Sequence, residues 1–376
     1  MSATISAVWL TMNPNLGASA RSLQDWVLLS EQADLSISVV LQHDGDLKRW
    51  LQETRVPHLQ DPMYWPDRRR VLLSALHALK LKRWMKKHGV QVIHCYEHDL
   101  YPFAVALRFV TSLPLLCHIH FAPDRGFASW AFGGRKQPDA VIWTSHQQQE
   151  DCASVMADLV PSSKQHVIPL GIDVSRFGSH VAMRGEFRQR LGIHPDTIVV
   201  GMACALRARK RIDDFLEVMR VVHGQGANVV GVLAGGEVPG DEAYAREVTP
   251  RIKALEATGA IRWVGHLEPV EPFMQATDIF LSTSEYETFG MSVLEAMACG
   301  KAVAAYRGGS VHEVVADAGL IVETGDVAGL LSAVQSLVAG GDLRRDLGVA
   351  ARRRVVTEYD PRQSLSQLRR VYETVK

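Results

Sequence analysis

The chain has little to cross-link it. Its five cysteines, at positions 95, 117, 152, 204 and 299, are odd in number and scattered, and no CxxC pair occurs. That argues against a disulfide framework or a zinc site and points to a reducing cytosol. No run of about 18 apolar residues appears, so nothing is expected to span a membrane. The opening MSATISAVWLTM has no basic n-region and too short an apolar stretch for a signal peptide. Net charge is absent too: Lys plus Arg and Asp plus Glu both total 41, so no overall field favours a nucleic-acid partner. There is no GxGxxG, which counts against a nicotinamide enzyme, and neither an internal repeat nor a low-complexity segment.

What is present is alternation. Hydrophobic residues make up 47% of 376, an ordinary globular composition in a chain long enough for about two or three domains. Short apolar runs at 5–10, 37–41, 92–94, 115–119, 140–143 and 166–169 are separated by helical patterns. The second half repeats this at 198–203, 229–234, 261–264, 278–282, 301–305 and 320–322. Strands alternating with helices at this interval predict doubly wound, mostly parallel sheets. The fold class expected is therefore α/β, with two Rossmann-like domains and a cleft between them. The connector lies near Pro169-Leu170-Gly171-Ile172-Asp173. It divides the chain into 1–175 and 176–360, with helices expected over 326–357 and 361–375.

The stretch from 281 to 313, LSTSEYETFGMSVLEAMACGKAVAAYRGGSVHE, carries the chemistry. A strand runs into a loop with Glu285 and Glu287, and a helix starts at about Gly290 with Glu295 on its second turn. Met291, Leu294, Met297 and Ala298 recur at helical spacing as a buried face. Unpaired amides of Gly290, Met291 and Ser292 at a helix start suit phosphate or sugar hydroxyls. A carboxylate accepts two hydroxyls of a vicinal diol, which fits Glu295 on a ribose and Glu287 on a sugar. Taken alone, the pair reads more readily as a solvated loop acid and a helix-surface acid. A second cluster, Ala205-Leu206-Arg207-Ala208-Arg209-Lys210-Arg211, follows the 198–203 strand. Cations at the carboxyl end of such a strand suit a diphosphate, and a solvated basic turn fits the run equally well.

The text from Glu287-Thr-Phe-Gly-Met-Ser-Val-Leu-Glu295 through Ala-Met-Ala-Cys-Gly-Lys-Ala-Val resembles the donor-site signature of retaining glycosyltransferases of family 4 nearly position for position. Arg307-Gly308-Gly309 and Glu313 match that family's following turn and acid. The resemblance implies the GT-B fold and transfer of a sugar from a nucleoside diphosphate to a hydroxyl acceptor: a glycan, a lipid-linked sugar or a small molecule. It implies retention of anomeric configuration, no metal and no other cofactor. Glu287 with Phe289, Gly290, Met291 and Ser292 would hold the sugar, Glu295 the ribose, and Lys210 the diphosphate. The family's arginine position is occupied by Ala205, so Arg207 is the first candidate for that charge and Arg209 the second. Two same-fold alternatives remain open, a catalytically silent sugar-nucleotide binder and a sugar-nucleotide epimerase.

The N-terminal half would face the acceptor, and the resemblance has the 361–376 helix packing back on it. Gly17, in the loop after the first strand, is a partial match to the family's glycines and reads equally as an ordinary turn. His120, ending the 115–119 strand region, matches a histidine near the reacting sugar; with 15 histidines in the chain, a structural role competes. Residues 68–88 hold eight basic and no acidic residues. On a helix, Leu72, Leu76 and Leu79 face one way, with Lys80, Arg83 and Lys87 elsewhere. Such a helix either packs on the sheet with a solvated basic face or lies on an anionic membrane. The expected location is the cytoplasm, with peripheral attachment to the inner face of the membrane as a further expectation.

Overall fold

The computed structural model describes residues 3–14, 18–66, 69–178 and 181–376. It divides into two units, Met1–Gly171 with Pro361–Lys376, and Ile172–Asp360.

In the first unit seven strands form one parallel sheet. They are β1 (Ile5–Thr11), β2 (Leu35–Leu41), β3 (His58–Gln60), β4 (Val92–Cys95), β5 (Leu115–Ile119), β6 (Ala140–Trp143) and β7 (Gln165–Val167), in the order β3-β2-β1-β4-β5-β6-β7. All six pairings are parallel, so the central strands are buried on both faces and mostly apolar rather than alternating. Val8, Leu10, Ile93, Cys117 and Trp143 are fully buried in this core. The Pro361–Val375 helix belongs to this unit. Its Tyr372 hydroxyl accepts from Trp9 Nε1 at 3.0 Å and lies 2.7 Å from His94 Nδ1, and Ser364 Oγ donates to Pro169 O at 2.7 Å. Gly171 permits the crossing, because a Cβ there would lie 2.4 Å from Pro361 Cα.

The second unit has six parallel strands: β8 (Ile198–Ala203), β9 (Val229–Ala234), β10 (Ile261–Gly265), β11 (Ile279–Ser282), β12 (Ala302–Tyr306) and β13 (Leu320–Val322), ordered β10-β9-β8-β11-β12-β13. The order reverses between β8 and β11. At such a reversal the two following loops diverge to opposite faces of the sheet and leave a crevice at the strands' carboxyl ends. Here those loops are 204–211 and 283–290, the two segments that carry the cations and Glu287. Among the described residues no helix is long and apolar enough to cross a membrane.

Candidate donor site

The two loops are stitched together by backbone. Glu285 N donates to Arg209 O at 2.7 Å, and Thr283 Oγ1 donates to Lys210 O at 2.7 Å. A short 3-10 turn, Ala208–Lys210, carries Lys210 at its end. Lys210 is buried, and its ammonium is in direct contact with the Glu287 carboxylate. Arg209 lies alongside: its Nη1 donates to Tyr286 O at 2.9 Å and stands 3.9 Å from Glu287 Oε2. Arg207 turns away, with Nε 3.1 Å from an Asp241 carboxylate oxygen. The structure thus brings Lys210, Arg209 and Glu287 together and leaves Arg207 outside that group.

Glu287 is fixed by the glycine turn after β12. Its N donates to Gly308 O at 3.3 Å, and Ser310 N donates to Glu287 O at 2.8 Å. A Cβ on Gly308 would lie 2.1 Å from Ser284 O, and one on Gly309 would lie 2.4 Å from Glu287 O. Gly309 is also at φ +56. Gly309→Ala is therefore expected to lower stability by about 1–3 kcal/mol through backbone strain and overpacking. Thermal unfolding of the variant against wild type measures it, and an unchanged midpoint would contradict the packing described.

The Met291–Ala298 helix opens at Gly290, at φ +93, a left-handed conformation that favours glycine. No side chain caps this end, and the first helical bond shown is Leu294 N to Gly290 O. The amides from Gly290 to Ser292 lie at the positive end of this helix. The helix is buried on nearly every side: Glu295 is as inaccessible as Leu294 and Met297, and only Ser292 is half-exposed. The burial of Glu295 differs from the helix-surface acid that the pair of glutamates suggests when taken alone. Phe289 is also buried, packing edge-on against Tyr359 at 5.7 Å, so its ring is part of the support under the loop.

In the first unit, His120 is buried and stacks on His118 with ring centroids 4.3 Å apart; Tyr96 lies 4.5 Å away. Burial pushes His120 down to about 3, helped by the neighbouring His98, so the ring is neutral at any ordinary pH. Gly17 lies outside the described residues. The segment leading to it is tethered by a residue that sequence reasoning missed. The buried Glu97 carboxylate accepts from Thr11 Oγ1 at 2.9 Å, Met12 N at 3.1 Å and Asn13 Nδ2 at 2.6 Å. Burial drives this carboxyl up to about 8 against the pull of those three donors. Asp241 was likewise missed, because Val238-Pro239-Gly240-Asp241 reads only as a turn.

Comparison with known proteins agrees with this fold. A family model described as Glycosyltransferase Family 4 matches residues 28–176, and one described as Glycosyl transferases group 1 matches 183–354. The chain belongs with the family-4-like glycosyltransferases of the GT-B fold. Among curated relatives, it is 30% identical over 250 residues to the alpha-maltose-1-phosphate synthase of Mycolicibacterium smegmatis, covering 63% of each chain. It is 26% identical over 307 residues to the phosphatidyl-myo-inositol mannosyltransferase of the same organism, covering 79% of this chain and 74% of that one. The chain spans about half to two thirds of the length of the first four relatives matched. Among solved structures, Anabaena Alr3699/HepE in complex with UDP and glucose superposes with a TM-score of 0.84 at 19% identity, covering 98% of this chain and all of that one. Sucrose-phosphate synthase from Thermosynechococcus elongatus gives 0.78 at 18%, covering 98% of each. These likenesses establish the GT-B fold.

Proposed function

We propose that the protein is a retaining glycosyltransferase that moves a sugar from a nucleoside diphosphate to a hydroxyl acceptor without a metal. The observation that carries this reading is the grouping of Lys210, Arg209 and Glu287 at the strand-order reversal, beside the uncapped start of the Met291–Ala298 helix. Cleaving a sugar-diphosphate bond leaves about two to three negative charges on the leaving nucleotide, and fixed cations with helix amides are what stabilise them in place of a metal. Without a ligand, Lys210 is neutralised by Glu287. With a donor bound, the diphosphate takes over Lys210 and Arg209, and Glu287 is released to accept sugar hydroxyls. The amides from Gly290 to Ser292 complete the cradle. His120, held neutral, has the right chemistry to hydrogen-bond a sugar hydroxyl as donor or acceptor.

Bound UDP and UDP-glucose in the Anabaena structures support a nucleotide-sugar donor here. The five cysteines are free thiols, which fits a reducing, cytoplasmic location. The test is a panel of nucleotide sugars scored first by thermal shift and then by donor hydrolysis without acceptor, with the released sugar's anomeric configuration read by proton NMR. Binding and slow hydrolysis with retention support the reading. Binding with no hydrolysis and no transfer to any hydroxyl acceptor would favour a silent binder, and inversion would overturn the retaining assignment.

Glu295 is assigned to the ribose. Glu295→Ala is expected to weaken binding of the free nucleoside diphosphate by roughly 1.5–3 kcal/mol, the worth of a charged hydrogen bond. Calorimetry on the folded variant measures it. Unchanged affinity would remove Glu295 from the site.

A further inference from the structure

The Val71–Lys87 helix has two apolar faces, and only one of them is used by the fold. Ser74, Ala78, Leu81 and Met85 are buried. Directly opposite, Leu72, Leu76 and Leu79 are 77%, 62% and 44% exposed. Residues three and four apart share one line on a helix, so these leucines form a single outward stripe. Val71 and Leu73 flank it and are exposed as well. At 3.6 residues per turn, Arg83, Lys86 and Lys87 continue the same face toward the C-terminus, where the sequence reading had separated the charges from the leucines. Arg69 and Arg70 are exposed just before its start.

Aromatic side chains adjoin this helix. Tyr64 packs edge-on against His77 at 5.2 Å, which holds the 61–66 segment along the helix. The next residue, Trp65, is exposed and meets the exposed Trp130 at 5.5 Å. A leucine stripe that runs on into a basic face is what a water–lipid boundary selects: leucines below the headgroups, cations on the phosphates.

We infer that this face docks on an anionic bilayer, with Leu72, Leu76 and Leu79 entering the acyl boundary and Arg83, Lys86 and Lys87 engaging lipid phosphates. Charge decides the occupant. With eight basic and no acidic residues over 68–88, the surface complements a continuous anionic plane, and a convex helix flank offers no groove for a peptide. The inference concerns attachment and stands apart from the reaction proposed above.

The experiment is co-sedimentation of the full chain with phosphatidylcholine vesicles, with and without phosphatidylglycerol. Two triple variants are compared with wild type: Leu72→Ser, Leu76→Ser, Leu79→Ser, and Arg83→Ser, Lys86→Ser, Lys87→Ser. All six positions are solvent-facing, and circular dichroism confirms that the variants are folded. Wild type is expected to sediment with the anionic vesicles only. Burying a leucine is worth about tenfold or more in partition, so the leucine variant should lose at least a hundredfold. Each cation is worth about fivefold, so the basic variant should lose on the order of a hundredfold. Wild type remaining in the supernatant at low salt would overturn the inference. So would a leucine variant that sediments like wild type, because the contact would then be unspecific charge adsorption. If wild type ignores vesicles but self-associates in sedimentation velocity, and the leucine variant does not, the face covers a second copy of the chain and the bilayer inference fails.

Discussion

Lys210→Ala is expected to lower turnover by about two to three orders of magnitude, by analogy with loss of a preorganised donor to a developing charge. The size follows from where the ammonium sits. It is buried, its main chain is pinned by Thr283 and, among the described residues, its carboxylate partner is Glu287, so little solvent reorganisation is needed when charge builds on the leaving phosphate. Charge develops mainly in the transition state, so the loss should fall on kcat more than on KM. The substitution also leaves Glu287 half of an ion pair in a partly buried site, which costs stability of its own. Thermal unfolding must therefore accompany the kinetics. In Lys210→Ala, Glu287→Gln the stability should recover and the turnover should not. Near-wild-type turnover of Lys210→Ala with the correct donor would remove Lys210 from the chemistry.

The architecture was legible because both sheets are parallel and buried on two faces. Runs such as Ala140–Trp143 and Val229–Ala234 then stand out as unbroken apolar text between helical patterns. β3 was not legible: His58–Gln60 is three residues long, half-exposed at a sheet edge and set between Pro57 and Pro62. The expected 166–169 strand shifts to Gln165–Val167, since Pro169 has no N–H to give to a ladder. In the donor site, local text sufficed where one loop supplies the geometry, as at Gly290. It failed where a distant residue chooses. The spacing of Arg207 and Arg209 from Lys210 gives no hint that Asp241, beyond the next strand, draws the first away, or that Tyr286 O receives the second. The same holds for Leu72, Leu76 and Leu79. Periodicity grouped them, but which of two apolar faces meets the sheet depends on the packing partner.

The second large effect concerns the arginine that the family motif lacks at Ala205. Lys210 alone leaves most of a diphosphate's charge uncompensated in a partly desolvated site. Arg207 and Arg209 are both close in sequence, and only Arg209 shares Glu287 with Lys210. Its guanidinium is already oriented by Tyr286 O, so little rotamer freedom is lost when phosphate oxygens arrive. Arg209→Ala is therefore expected to cost about a hundredfold in turnover, comparable with Lys210→Ala. Arg207→Ala should cost about tenfold or less, since its charge is held by Asp241. Placing the arginine at the family's position, as Ala205→Arg in the Arg209→Ala background, should restore part of the activity. Turnover of the two single variants and of the double variant measures all three. If Arg207→Ala is crippled and Arg209→Ala is not, Arg207 must leave Asp241 when the donor binds. Asp241→Asn should then raise donor affinity by freeing it, whereas a charge supplied by Arg209 leaves that affinity where it was.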